Sequence, residues 1–350
     1  MFEEQKHFLG IKRSISDRSW VDRLNDASAR TATAMAQRHG ISEIIARILA
    51  ARSVELDEAE AFLNPTIREL MPDPSAMTDM DALVDRLFAA IQSNEQIALF
   101  GDYDVDGATS VSLIQRFLRA LGVEPLIYIP DRIFEGYGPN EGAIDQLVEA
   151  GATLIVTIDC GTTSYKAIEH AKSRDADVLV IDHHLLDGEL PKANAVVNPN
   201  RPDDVSGLGY LCAAGVAFMV LVALNRKLRE NETRPLPDLM ALLDLVALGA
   251  VCDVVPLIGL NRAFVQRGMD AMRKGRNRGI AALSMAARIS GPLNPYHLGF
   301  VIGPRINAGG RIGDAALGAK LLSTDDEHEA MHIASQLDQL NAERQLIEKR

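Results

Sequence analysis

Between residues 80 and 200 the chain alternates short apolar segments with amphipathic ones, and this pattern constrains its fold more than any other feature. The apolar segments 96–100, 126–129, 153–158 and 178–181 are predicted to be strands. Helical periodicity is predicted at 80–92, 109–121, 141–150 and 162–173. Continuous apolar strands between helices indicate a parallel sheet covered on both faces. We therefore predict an α/β fold with an open, mostly parallel sheet flanked by helices, whose ligands bind beyond the carboxyl ends of the strands.

The rest of the chain is predicted to be helical, and 350 residues are enough for about two domains. We expect a helical N-terminal extension over residues 1–79, the sheet domain over 80–322, and the start of a long connecting helix over 323–350. The prolines at 65, 72 and 74 break helices and favour a boundary ahead of residue 80.

The charge of the chain limits the classes of function that it fits. Lys and Arg number 36 against 48 Asp and Glu, a net charge of -12, which argues against a protein that coats nucleic acid indiscriminately. A carboxylate-rich metal site beside a local basic groove remains compatible with it. The dispersed cysteines Cys160, Cys212 and Cys252 predict no disulfide framework, hence a cytoplasmic location. The longest apolar run, 211–224, is too short to span a bilayer, and we expect no membrane association.

Carboxylates and histidines follow three of the predicted strands. They are Asp102, Asp104 and Asp106 in the sequence GDYDVDG at 101–107, then Asp159, then Asp182, His183 and His184. On an extended segment, carboxylates at alternate positions would point to one side, and two adjacent histidines would point to opposite sides. Such crowding of negative charge is costly unless a cation neutralises it.

Asp253 is a fourth acidic position, within the apolar run 248–256. A carboxylate there is unfavourable unless it is paired or binds a metal, although a helix-end cap explains it as well. Oxygen ligands with imidazole suit Mn²⁺ or Mg²⁺ better than Zn²⁺. Carboxylates at four places can hold two ions about 4 Å apart, the arrangement used for displacement at phosphorus.

Two other metal motifs match locally but have weaker support. The pattern D-x-D-x-D-G at 102–107 opens an EF-hand loop, but the twelfth position is Leu113, where that loop needs Glu. The sequence HEAMH at 328–332 matches the zinc-protease pattern H-E-x-x-H. Surface residues one helical turn apart explain this second match more simply.

Together, these residues resemble the motifs of the DHH phosphoesterase superfamily. The resemblance rests on DVD at 104–106, Asp159, the triplet DHH at 182–184, and Asp253, in that order. Further stretches are similar to one branch, the single-strand-specific 5′ exonucleases. These stretches are GDYDVDG at 101–107, EGYG at 135–138, LVALG at 245–249 and GPRINA at 303–308.

The resemblance implies a metal-dependent hydrolase that degrades single-stranded DNA from its 5′ end to mononucleotides, in recombination and repair. It implies two Mn²⁺ or Mg²⁺ ions. The metal ligands that it implies are Asp102, Asp104, Asp106, Asp159, His183 and Asp253. Asp159 would bridge the ions, Asp182 would orient the histidines, and His184 would contact the scissile phosphate; these three form the expected catalytic set.

The segment 303–311 resembles the substrate-contacting motif of the same branch. Arg305, Asn307 and Arg311 would hold backbone phosphates, since a guanidinium fork matches phosphate oxygens. The chain has Gly-Gly at 309–310 where Ala-Gly or Ser-Gly is expected, and without the resemblance a glycine-rich turn explains the segment equally well. A basic cluster between 262 and 278 adds Arg262 to the substrate-binding set, although a solvated amphipathic helix accounts for most of that cluster.

Two alternatives remain open for the activity. One is a DHH phosphodiesterase that acts on short oligonucleotides, cyclic dinucleotides or pyrophosphate; the other is a truncated, non-catalytic module that binds nucleic acid or a partner. Members of the exonuclease branch continue into a DHHA1 domain and an oligonucleotide-binding barrel, and we expect this chain to stop before both. The partner that the resemblance implies is single-stranded DNA, with single-strand binding protein and a helicase as further candidates.

Overall fold

The computed structural model describes residues 7–132, 134–186, 188–231 and 235–349. Two compact units make up the chain, Met1–Glu69 and Leu70–Arg350. The domain boundaries predicted after residues 79 and 322 stay predictions.

The first unit is helical, as predicted. Its helices are α1 (Asp26–His39), α2 (Glu43–Ala50), α3 (Ala59–Leu63) and α4 (Ile67–Leu70), of which the last ends at the unit boundary. Asn25 caps α1 by accepting a hydrogen bond from the Ser28 amide at 2.8 Å, and Gly40 ends that helix with φ of 64°. Buried apolar side chains of α1 and α2, among them Met35 and Leu49, form the core of the unit.

A five-stranded parallel sheet is the centre of the second unit and confirms the predicted fold class. Its strands are β1 (Ile97–Gly101), β2 (Leu126–Tyr128), β3 (Leu154–Ile158), β4 (Asp177–Ile181) and β5 (Ala195–Val197). They lie in the order β2-β1-β3-β4-β5 and every pair is parallel. All residues of β1 and β3 are buried, because both faces of a parallel sheet are covered.

Helices cover both faces of the sheet. On one side α7 (Glu141–Glu149) and α8 (Tyr165–Ser173) pack against the apolar residues of the strands that share their face. On the other side lie α5 (Met80–Gln92), α6 (Val105–Ala120) and α9 (Ala213–Asn231).

A further group of helices extends the second unit beyond α9. These helices are α10 (Leu243–Cys252), α11 (Gly259–Arg273), α12 (Arg278–Ala286), α13 (Pro295–His297), α14 (Gly303–Ile312), α15 (Leu317–Ser323) and α16 (Glu327–Glu348). A π-helical turn, Leu298–Ile302, joins α13 to α14. The segment 303–311 is therefore helical, and its explanation as a glycine-rich turn is wrong. No helix among the residues that the structure describes combines the length and hydropathy required to cross a membrane.

Candidate metal centre

The register of the sheet aligns the carboxyl ends of its three central strands. Gly101 of β1 pairs with Ile158 of β3, which pairs with Ile181 of β4. The residues that follow these strand ends are Asp102, Asp159 and Asp182. Parallel pairing thus places three carboxylates side by side, as the sequence predicted.

The loop after β1 becomes a helix sooner than predicted. Asp104 is the N-cap of α6, and its Oδ1 accepts a hydrogen bond from the Gly107 amide at 3.0 Å. Asp106 consequently lies in the first helical turn, so the prediction that Asp102, Asp104 and Asp106 share one side of an extended segment is wrong. A side chain at residue 107 would collide with the Asp102 carbonyl, which explains the glycine there.

Asp106 is held at the N-terminus of α9. Its carboxylate is 1% exposed and accepts hydrogen bonds from the amides of Ala213 at 2.6 Å and Ala214 at 3.0 Å. Burial, with the charges of Asp253 and Asp104, nevertheless raises the pKa of Asp106 to about 8. The amides at the helix N-terminus favour the anion, but they do not compensate for its removal from water.

Asp102 and Asp159 each carry a buried oxygen without a hydrogen-bond partner among the described residues. Asp159 has φ of 62°, a left-handed conformation that is uncommon outside glycine. Burial raises the pKa of Asp102 to about 7, with a further contribution from Asp104, and raises the pKa of Asp159 well above its usual range. Buried polar atoms without partners are rare, and a bound cation would satisfy both oxygens.

The chain turns around Asp182, so the two histidines do not point to opposite sides. Asp182 Oδ1 accepts hydrogen bonds from the amides of His183 at 2.7 Å and His184 at 3.2 Å, and from His184 Nδ1 at 2.7 Å. The ring centroids of the histidines are 4.7 Å apart. The extended-strand prediction fails here because both residues lie beyond the end of β4. Asn200 and Asn198 fix the turn by donating to the carbonyls of His183 and His184.

His183 reaches three carboxylates from this turn. Its Nε2 lies 3.2 Å from Asp159 Oδ1, 3.7 Å from Asp106 Oδ2 and 3.8 Å from Asp253 Oδ2. Asp253 is the C-cap residue that follows α10, and its amide donates to the Gly249 carbonyl while its carboxylate lies in the cluster. Burial raises the pKa of Asp253 to about 6.

The histidines differ in charge. Burial and the charge of His184 lower the pKa of His183, which favours the neutral imidazole that binds metals. The hydrogen bond to Asp182 raises the pKa of His184. Burial alone would raise the pKa of Asp182, but the hydrogen bonds from His184 and the Thr162 amide prevail and lower it to about 2.

Three overlapping groups of these side chains could hold a metal ion. In each group the ligand atoms lie within 4.8 Å of one another, and the groups are Asp159 with His183 and His184, Asp106 with His183 and Asp253, and Asp102 with Asp104 and Asp159. All six predicted ligands occur in these groups, and Asp159 and His183 each belong to two of them. Carboxylate oxygens with one or two imidazoles fit Mn²⁺ or Mg²⁺. Their role as ligands stays a prediction.

The predicted substrate contacts lie on two helices. On α14, Arg305 Nε donates to Asp338 Oδ1 at 2.8 Å, and Asn307 Oδ1 accepts from the Val105 amide at 3.1 Å. Both therefore make contacts within the chain that stabilise α14, whereas Arg311 is exposed at the end of that helix. Arg262 is half-buried on α11. The substrate role of all four residues stays a prediction.

Gly310 explains the close approach of α14 to the loop after β1. A Cβ at residue 310 would lie 2.8 Å from the Tyr103 carbonyl oxygen. The guanidinium of Arg132 lies 4.9 Å from the centroid of the Tyr103 ring, and Arg311 also acts electrostatically on Tyr103. Two cationic side chains thus flank the loop that carries Asp102 and Asp104.

The EF-hand and zinc-protease patterns found in the sequence do not have the structures that those metal sites require. The segment before Asp102 is a strand, and Leu113 is buried in α6, so the EF-hand explanation is wrong. His328 and His332 are exposed on α16 and belong to none of the metal-binding groups found among the described residues. In the basic cluster, Arg267 and Arg273 both pair with Asp270, as a solvated helix face would.

Sequence reasoning gave no role to Tyr137, which contacts the centre. Its hydroxyl donates to the main-chain oxygen of Asp159 at 3.1 Å and lies 3.5 Å from the ring nitrogens of His184. The available signal is the EGYG sequence at 135–138, which carries a family resemblance but no local pattern that indicates a role.

Comparison with solved structures connects this centre to a family. The chain is 34% identical to a structure described as exonuclease RecJ bound to manganese, with a TM-score of 0.71 over 80% of this chain and 69% of that one. The chain belongs to the RecJ family. A manganese complex of RecJ from Thermus thermophilus gives a TM-score of 0.76 at 30% identity, covering 93% of this chain and 45% of that one.

Sequence comparisons agree with this assignment. Residues 96–250 match the DHH family, N-terminal domain, a range that includes all the predicted ligands except Asp253. The single-stranded-DNA-specific exonuclease RecJ of Escherichia coli K12 is 38% identical over 314 residues, which are 87% of this chain and 54% of the relative. The chain therefore spans about half the length of the curated RecJ proteins that it matches.

Proposed function

We propose that this chain hydrolyses phosphodiester bonds of single-stranded DNA from the 5′ end and releases mononucleotides, using two Mn²⁺ or Mg²⁺ ions. The observation that carries the proposal is the pair of buried oxygens of Asp102 and Asp159 that have no hydrogen-bond partner among the described residues, beside the His183 imidazole. The curated relatives named as single-stranded-DNA-specific exonucleases, and the manganese in two RecJ structures, support the choice of substrate and ion.

The carboxylates of the centre would hold the ions. Asp159 and His183 each belong to two of the three ligand groups; the Asp159 carboxylate, which has two oxygens, would bridge the ions, and His183 would contribute a neutral nitrogen. The chemistry that two divalent ions would supply there is an activated water molecule and neutralisation of charge at phosphorus during in-line displacement. The ions would also remove the cost of several buried carboxylates facing one another.

His184 is the side chain best placed to meet the substrate phosphate. Its ring is 48% exposed at the rim of the centre, while Asp182 holds its Nδ1 at 2.7 Å. Asp182 fixes the ring orientation and favours the charged imidazolium, which can donate a hydrogen bond to a phosphate oxygen. Asp182 and His184 would therefore act as a pair.

The arginines that flank the loop after β1, which carries Tyr103, would bind the DNA backbone. Arg311 is exposed there, and Arg132 lies over the Tyr103 ring. Phosphate neutralisation by such side chains supplies much of the affinity for a single strand, in spite of the negative net charge of the chain. The proposal also includes two predicted partners, single-strand binding protein and a helicase, and a predicted cytoplasmic location.

The test is hydrolysis by the purified chain with Mn²⁺ and 5′-labelled single-stranded DNA. Duplex DNA, RNA, a dinucleotide, a cyclic dinucleotide and pyrophosphate serve as competing substrates, and Asp159→Ala serves as the control. We expect mononucleotides from single-stranded DNA with the parent alone. Cleavage confined to the dinucleotides or pyrophosphate would move the chain to another DHH activity. Binding of DNA without cleavage of any substrate would favour the non-catalytic module.

A further inference from the structure

The EGYG sequence at 135–138 forms a loop between β2 and α7 that reaches the candidate metal centre. Tyr137 is 52% exposed, and its hydroxyl donates to the Asp159 main-chain oxygen at 3.1 Å. Its ring meets the His184 ring edge to face, with centroids 5.9 Å apart. One side chain therefore touches both the predicted bridging ligand and the residue predicted to meet the phosphate.

The other residues of the loop hold Tyr137 in this place. The Glu135 carboxylate accepts hydrogen bonds from Tyr128 Oη at 2.7 Å, the Asp131 amide at 2.8 Å and Asn140 Nδ2 at 3.3 Å. It thereby ties the loop to the end of β2 and the start of α7. Gly136 and Gly138 flank Tyr137 with φ of 85° and 77°, a conformation that strains other residues. The motif therefore combines an anchoring carboxylate with two glycine turns that present the tyrosine to the centre.

The contact matters because Asp159 is held in an unusual conformation. Its φ is 62°, and it leaves the strand with its amide bonded to the Ile181 carbonyl at 2.9 Å. The Tyr137 hydroxyl is the partner found for its carbonyl. One hydrogen bond holds the amide of Asp159 and the other holds its carbonyl. Together they fix the backbone of Asp159 and so the direction in which its buried carboxylate points. Such conformations persist only where the surroundings hold them.

We propose that Tyr137 is a positioning residue, whose hydroxyl fixes the Asp159 main chain and the His184 ring in the arrangement that divalent ions and a phosphate require. This inference rests on the proposed function. Tyr137 acts through Asp159 and His184 and takes no part in bond breaking. Partners of metal ligands of this kind typically change metal affinity or activity by about 10–100-fold when they are removed.

The decisive variant is Tyr137→Phe, which removes the hydroxyl and keeps the ring. Tyr165→Phe is a matched control, because Tyr165 is 44% exposed and its hydroxyl also donates to a main-chain oxygen, that of Glu189 at 2.8 Å. Mn²⁺ affinity is measured by calorimetry without DNA, kcat and KM are measured on single-stranded DNA, and Tm is measured for both variants.

We expect Tyr137→Phe to weaken Mn²⁺ binding and to lower kcat, each by about tenfold, with KM and the Tm of the metal-free protein near the parent values. Tyr165→Phe should match the parent in every measurement. Parent-like Mn²⁺ affinity and kcat in Tyr137→Phe would overturn the inference. So would a loss of Tm that accounts for the lower activity.

The calorimetry separates this inference from the proposed function. If the parent binds Mn²⁺ and cuts no substrate, the proposed function fails while the Mn²⁺ affinity of Tyr137→Phe still decides the role of Tyr137. A parent that binds no Mn²⁺ would overturn both.

A double-mutant cycle tests whether Glu135 acts through Tyr137. Glu135→Ala removes the anchor of the loop, and we expect it to reproduce the effect of Tyr137→Phe on Mn²⁺ affinity. In combination the two changes should cost little more than either alone, because both break the same positioning contact. Fully additive effects would contradict the proposed coupling.

Discussion

Asp159 combines several of the energetically unfavourable features of the centre in one residue. It has a buried oxygen without a hydrogen-bond partner among the described residues, a raised pKa and a left-handed backbone. Each of these features is costly in a metal-free protein, and a bound cation relieves the first two. Its predicted bridging role and its physical state therefore point to the same chemistry.

We predict that Asp159→Asn abolishes hydrolysis and raises the Tm of the metal-free protein at pH 8. Asparagine keeps the shape and tolerates the left-handed conformation, while the cost of burying an ionisable carboxyl group is removed. Hydrolysis assays and thermal unfolding check both parts. Asp244→Asn is the matched control, since Asp244 is also buried with a raised pKa of about 6 but belongs to none of the ligand groups found among the described residues. If Asp159→Asn cuts DNA at the parent rate, Asp159 is not a required metal ligand.

Arg311 and Arg305 should differ in their contribution to DNA binding, although the resemblance assigns both to the substrate-binding set. We predict that Arg311→Ala raises KM for single-stranded DNA and lowers the salt slope of binding by about 0.7, the value of one phosphate contact on a single strand. Mn²⁺ affinity should not change. Arg267→Ala is the control, an exposed arginine of the basic cluster that pairs with Asp270. Equal salt slopes for parent and Arg311→Ala would exclude the contact.

Residue identities at the centre could be predicted because strand ends and acidic residues coincide in the sequence. The orientation of the side chains could not. The turn around Asp182 depends on hydrogen bonds from Asn198 and Asn200, which are distant from it in sequence. The contact of Tyr137 with Asp159 likewise depends on tertiary structure, which no local pattern encodes.

At the scale of elements, the first turn of α6 is held against α10 and α9. Gly249 lies in α10 where a Cβ would come 2.6 Å from Thr109 Oγ1, 2.7 Å from Asp106 Oδ1 and 2.8 Å from Ala214 Cβ. The glycine lets three helices meet around the Asp106 carboxylate. This packing supplies the physical reason for a glycine in the LVALG stretch, which the sequence alone does not reveal.

We predict that Gly249→Ala destabilises the protein by about 1–3 kcal/mol, the usual cost of an extra methyl group in a packed core. It should also weaken Mn²⁺ binding, because relief of the clash moves Asp106. Gly142→Ala is the matched control on the exposed side of α7, where helix propensity favours alanine. Chemical denaturation and calorimetry give the two quantities. Equal stability of Gly249→Ala and the parent would show that the helices can separate without cost.

The long, regular elements were the most predictable ones. The helix predicted at 80–92 is α5 with the same bounds, and the four predicted strands are all present. The short strand β5 was not predicted, and the helices α12, α13 and α15 lie in the part of the chain that was predicted to be helical without individual bounds. In that part of the chain, α10 begins at Leu243, after a 3-10 turn capped by Asp238.

At the scale of the whole molecule, the raised pKa values of the centre make the stability of the metal-free protein depend on pH. The pKa is raised to about 6 in Asp253, about 7 in Asp102 and about 8 in Asp106, against about 3.9 in an unfolded chain. The folded, metal-free protein thus holds protons that the unfolded chain releases. Stability from these groups is present below about pH 4 and is lost as pH rises to about 8.

We predict that Mn²⁺ raises Tm much more at pH 8 than at pH 5. The ion binds deprotonated carboxylates, so protons compete with it at the lower pH. At a hundredfold excess over Kd, binding stabilises the folded state by about 2.7 kcal/mol. Thermal unfolding at both pH values, with and without Mn²⁺, makes the comparison. The same increase in Tm at both would contradict the pKa shifts.

The most direct test of the central claim is anomalous diffraction from crystals of the chain grown with Mn²⁺. We predict two anomalous peaks about 4 Å apart, with Asp159 between them and His183 on one of the ions. A single peak would exclude the two-ion arrangement. No peak among Asp102, Asp106, Asp159 and Asp253, from crystals saturated with Mn²⁺ at pH 8, would contradict the account of this cluster as a metal centre.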